Sequence, residues 1–116
     1  MSFSTVKVIN GLQRGQVVKY DAVQSLWVRC DDNTDQLIGV ISEYPFEHND
    51  EHFAVIYWGG LVSAICVEQI PVQGGFIGIR DGGVYVDSVN RYGIIQPLAY
   101  DQVVPTVGDQ VSIHLR

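Results

Sequence analysis

The stretch HFAVIYWGGLVSAICVE, residues 52 to 68, decides the fold. Two runs rich in Val, Ile and aromatic residues flank the pair Gly59-Gly60, and neither places apolar residues at helical spacing over three turns. Such runs are read as strands, 52 to 60 and 61 to 68, in which the adjacent Tyr57 and Trp58 point to opposite faces.

Working outward, the same pattern gives strands at 5 to 9, 15 to 21, 25 to 31, 37 to 44, 75 to 81, 83 to 89, 92 to 98 and 109 to 115. Turn signals separate them: DDNTD at 31 to 35, Gly74-Gly75, DGG at 81 to 83 and VGD at 107 to 109. In RDGGVY, Gly82 or Gly83 is expected to take the positive φ of a hairpin turn. Pro45, Pro71 and Pro105 stand at strand borders, while Pro97 implies that its strand stops at Gln96 or runs along an edge. One short helix has room, around LAYDQVV at 98 to 104.

The strand series repeats. GQVVKYD, LWVRC, IGVIS and FAVIYW are mirrored by GFIGIRD, VYVD, YGIIQ and QVSIHL, with Gly39 matched by Gly93. The expected architecture is therefore mainly β, a small β-barrel or β-sandwich of β-tulip type. Its single domain spans 15–116 with pseudo-repeats 15–60 and 75–116, and two such meanders folded together would leave few exposed edges. Residues 1–14 stand outside the repeat as an N-terminal arm. Its Phe3, Val6, Val8 and Ile9 have no evident partner and suit addition to another protein's sheet edge.

Bulk composition narrows the function. A chain of 116 residues suffices for one core, and 47% hydrophobic against 17% charged residues excludes a disordered segment. The net charge is −6 and the seven basic residues are scattered, so no phosphate-neutralising patch for nucleic acid forms. No apolar run reaches the roughly 20 residues of a membrane span. The opening MSFSTVKVIN lacks the order of a secretion signal, which leads us to expect a protein that stays in the cytoplasm where it is made. Cys30 and Cys66 lie in apolar segments without metal or redox spacing and are expected to be reduced core residues.

Chemistry-bearing motifs are few. EHNDEH at 47 to 52 has two histidines four apart, but Asn49 stands where a zinc protease needs Glu, and flanking apolar runs make it a hydrated hairpin tip. The loops GLQRGQ, RDGG and QGG lack the Lys-Ser/Thr of a phosphate loop. His114 shares a strand face with Ser112, yet no G-x-S-x-G element occurs, and Asp31-Asp32 belongs to a turn. No catalytic residue, metal ligand or cofactor is assigned, and an enzyme is not expected. Trp27, Trp58, Tyr20, Tyr44, Tyr57, Phe53 and Phe76 instead lie on or beside strands, where an exposed group of them would mark a contact surface.

The segment VVKYDAVQSLWVRCDDNTDQLIGVISEYPFEHNDEHFAVIYWGGLVSAICVEQIP, about half the chain, resembles the head decoration, or cement, proteins of lambda-type tailed bacteriophages. The likeness lies in the order of elements: a strand ending at Asp21, Trp27 to Arg29, a polar loop, Ile38-Gly39-Val40-Ile41, the EHNDEH loop, then Phe53 to Gly60, Leu61 to Val67 and Pro71. After Pro71 a second set of strands departs from that pattern. The resemblance implies a virion protein, made in the host cytoplasm, that binds the major capsid protein on the outside of the head as a homo-oligomer, a trimer in that family. Contacts would then fall to Phe3, Val6, Val8, Ile9, Trp27, Tyr57 and Trp58. The alternative is a binding module of a phage tail or fibre, with a self-cleaving fibre domain behind it.

Overall fold

In the computed structural model, which describes residues 2–116, the chain is all-β, with ten strands and no helix among the described residues. They are β1 (Ser2–Val8), β2 (Val17–Asp21), β3 (Leu26–Arg29), β4 (Ile38–Ile41), β5 (Phe46–His48), β6 (Glu51–Ile65), β7 (Gly75–Arg80), β8 (Gly83–Asp87), β9 (Gly93–Ile95) and β10 (Gln110–Leu115). The two strands expected at 52 to 68 are one. Gly60, with φ 82°, bends β6 midway without ending it.

That bend lets β6 belong to two closed rings. Its first part pairs with β1 and β4, and the ring closes through β2, β3 and a parallel bridge from Trp27 back to Val8. Its second part pairs with β10 and closes through β9, β7 and β8, with a parallel bridge from Val84 to Cys66. Each ring thus consists of a hairpin, two further antiparallel strands and a closing strand that is parallel to the hairpin's second arm.

The correspondence extends to single hydrogen bonds. Ile9 N–H donates to Trp27 O at 2.9 Å and Val67 N–H to Val84 O at 2.9 Å; Ser42 N–H donates to Val55 O at 3.0 Å and Gln96 N–H to Ser112 O at 2.9 Å. Side chains match as well. The first ring encloses Val8, Val18, Ile41, Ala54 and Ile56, and the second holds Cys66, Ile77, Ile95, Val111 and Ile113 in the same positions. Leu12, packed against the first set, answers to Ile70 of the second.

The first fourteen residues therefore require a correction. They are not an arm outside the repeat: β1 is the closing strand of the first ring, as the second part of β6 is of the second, and the matched halves run from β1 into β6 and from β6 to β10. Alternation in SFSTVKV explains why, since Ser4, Val6 and Val8 face the ring interior and Phe3, Thr5 and Lys7 face out. Met1 of the expected arm lies outside the described residues. The expected helix at 98 to 104 is likewise absent. Pro97 and Pro105 bracket the segment, Tyr100 and Val103 are fully exposed, and only one turn forms, with Gln102 N–H donating to Ala99 O at 3.0 Å.

The rings pack end against side. The turn between β7 and β8, where Asp81 and Gly82 both have positive φ, reaches the first ring: Val17 N–H donates to Gly82 O at 2.8 Å and Gly82 N–H to Cys30 O at 2.9 Å. Val17, Cys30, Ile38 and Val40 on the outside of the first ring join one cluster with Ile79, Val84, Tyr92 and Leu115 at the end of the second. The Tyr92 hydroxyl bonds Thr34 N–H at 2.6 Å and Thr34 O at 2.9 Å, and Asn33 Oδ1 accepts Ile79 N–H at 2.9 Å. One body results, 46 × 27 × 24 Å.

Candidate interaction surface

EHNDEH forms the tip of the β5–β6 hairpin, with Asn49 (φ 52°) and Asp50 (φ 63°) in the two-residue turn that suits a right-twisted ribbon. His48 pairs across with Glu51 and Glu47 with His52, so strand alternation sends the two histidines to opposite faces. Two ligands on opposite faces do not share one ion. Among the described residues no group of three His, Cys, Asp or Glu side chains converges. His52 Nε2 lies 3.7 Å from Glu47 Oε2, at the rim of an open groove of about 720 Å³ that also takes in Leu12, Arg14, Tyr44 and Gln110.

Below this tip the outward face of β5, β6 and β1 is aromatic. Phe46 stacks on Phe53 with ring centroids 5.8 Å apart, and Phe3 stacks on Tyr57 at 5.4 Å. The register explains both pairs, because Phe46 stands opposite Phe53 and Phe3 opposite Tyr57, with Thr5 and Val55 between them and Lys7 beside Phe53. Phe3 remains 60% exposed and Phe46 49%. Stacked aromatics kept in water are unusual unless something covers them.

Beside this face runs an open sheet edge. β1 pairs with β6 along its whole length, but with β3 only at Val8. Since Ile9 N–H points to β3 and strand directions alternate, Phe3 and Thr5 present their N–H and C=O groups away from β6. Val55 O, bonded to Ser42 on the far side of β6, fits the same alternation. Lys7 is the one charge on this stretch, and its Nζ lies 3.3 Å from Glu51 Oε1. The edge has no proline, and its one register irregularity falls at its start, between Ser2 and Phe3.

The seven expected contact residues divide. Phe3 and Tyr57 lie together on the outward face, and Ile9, 37% exposed, lines the groove. Val8 is 2% exposed inside the first ring and so is closed to a partner; Val6, half-buried, packs beside it, and both hold β1 in place. Trp27 and Trp58 are half-buried at one end of that ring, Trp27 edge-on to Tyr20 at 6.0 Å. Sequence reasoning missed Phe46, Thr5 and Lys7. Writing out the alternation of residues 2 to 8 would have separated the outward set from Val6 and Val8; β5, at three residues, has no such signal.

Three ionisable groups elsewhere are tied into the packing and the turns. Burial pushes the thiols of Cys30 and Cys66 above their ordinary range, both being free and enclosed. Hydrogen bonds from the Gln24 side chain and the Gln24 and Val23 N–H groups hold Asp21 below the usual carboxylate range, closing the β2–β3 turn. No protein-family model, curated protein or solved structure matches the chain.

Proposed function

We propose that this chain is a structural interaction protein of a virus particle, a decoration or cement protein that attaches to the outside of a tailed-phage head by accepting a strand of the shell protein on the free edge of β1. The observation that carries the reading is the open edge at Phe3 and Thr5 lying beside the exposed Phe3–Tyr57 and Phe46–Phe53 stacks. An added strand supplies partners for the outward N–H and C=O groups, and its alternate side chains lie against the stacks, which lose their contact with water. Backbone bonding gives attachment and the aromatic face gives register. Many equivalent contacts over a lattice then give avidity from individually modest ones.

Thr5→Pro tests this. It removes an N–H that β6 does not use, and proline is tolerated on the solvent side of an edge strand. The variant should fold as the parent does and lose cosedimentation with expanded phage heads stripped of their decoration protein. Undiminished sedimentation of Thr5→Pro with heads overturns the edge mechanism. Binding of the parent to isolated tails and not to heads replaces this reading with that of a tail or fibre module.

A further inference from the structure

The two rings share a strand plan, yet they are covered differently. On the outside of the first ring, Val17, Val40 and Cys30 are each 0% exposed because the end of the second ring sits on them. The positions that answer to Val17 and Val40 in the second ring are Phe76 and Ile94, cross-strand neighbours in the same row, and they are 38% and 37% exposed. His114 and Leu61 continue that row as Tyr57 and Phe3 do in the first ring, and Leu61 is exposed too.

The ends of the rings show the reverse. Ile79, Val84 and Leu115 at the end of the second ring are sealed by the first. Their counterparts are Tyr20, 46% exposed, and Trp27 and Trp58, both half-buried, with Trp58 at the rim of a groove shared with Tyr92 and Leu115; Val23 at the adjoining turn is 95% exposed. The molecule therefore carries one side without its end and one end without its side.

We propose that a second copy of this chain fills both: the first-ring end of one copy seats on the Phe76–Ile94 face of the next, as the second ring sits on the first within a chain. The contact is heterologous, joining two different surfaces, so copies add head to tail until the series closes on itself or extends. It does not depend on the virion reading above. The fit between chains differs in one respect. The β2–β3 turn, Ala22 to Ser25, is longer than Asp81-Gly82 and contains no glycine, so Val23 and Tyr20 enter the contact as side chains where Gly82 enters as backbone.

Complementation between two broken surfaces tests the proposal by sedimentation velocity on the full chain. The parent should assemble reversibly at concentrations up to about 100 μM. Phe76→Asp and Val23→Asp, both at exposed positions, should each sediment as monomers with the parent's circular-dichroism spectrum, their association weakened about 30-fold or more. Mixed in equal amounts they should form a 1:1 dimer and nothing larger, because one intact end meets one intact face. Ile94→Lys and Tyr20→Asp should repeat the pattern as a second pair. A parent monomeric throughout, a single variant that still assembles, or a mixture that stays monomeric overturns the proposal.

Discussion

Gly39 and Gly93 occupy the same place in the two rings and answer to different constraints. Gly93 has φ 124°, and a Cβ there would run into His114 O, a backbone atom that has no room to yield. At Gly39 the first obstacle, 2.9 Å away, is Ile56 Cδ1, the far end of a side chain. Gly93→Ala is thus predicted to cost about 3 kcal/mol or more and Gly39→Ala about 1–2 kcal/mol, read from urea unfolding. The buried thiols make a second prediction at this scale. Their folded pKa values lie above the unfolded ones, so below the ordinary thiol value of 9.0 both states hold the proton and stability is unaffected. As pH rises past it the unfolded chain releases protons the native core retains, and unfolding free energy falls. Cys30→Ala/Cys66→Ala should flatten that alkaline decline, and in the parent neither thiol should react with a disulfide reagent until the protein unfolds.

At the scale of elements, β1 supports the first ring and offers the edge, and the two roles separate by residue parity. Val8→Ala should destabilise by about 2 kcal/mol through lost burial, while Phe3→Ser on the outward face should change stability little. Removing residues 2 to 8 should expose the Val18, Ile41 and Ile56 side chains and abolish hydrogen-exchange protection in β2 to β4. Most strands were legible from alternation and turn residues, as was a hairpin tip within EHNDEH, because those signals are local; that only Asn49 and Asp50 make the turn, with Glu47 and His48 already in β5, was not. β1 was read as unattached because its partner, β6, is more than forty residues away, and no local pattern encodes a pairing at that distance. The unity of β6 was hidden for another reason: the glycine pair Gly59-Gly60 divides two apolar runs that each read as a strand, and only the two rings on either side make it a bend. Of the contact face, Phe3 and Tyr57 were legible as aromatics on strands; that they stack, and that Phe46 and Phe53 stack beside them, follows from register alone.

For the whole molecule, joining two rings through one strand gives a body in which each β-ring closes through a single parallel bridge, and in which covering one ring's side leaves the other's bare. The acidic net charge, −6, works against casual association between copies. The most direct measurement of the central claim is hydrogen exchange by mass spectrometry on the chain alone and bound to stripped expanded heads. The strand-addition account predicts that exchange of the β1 amides at Phe3 and Thr5 slows sharply on binding, while the interior of the second ring is unchanged. A chain that binds heads with its β1 amides exchanging at the free rate would contradict it.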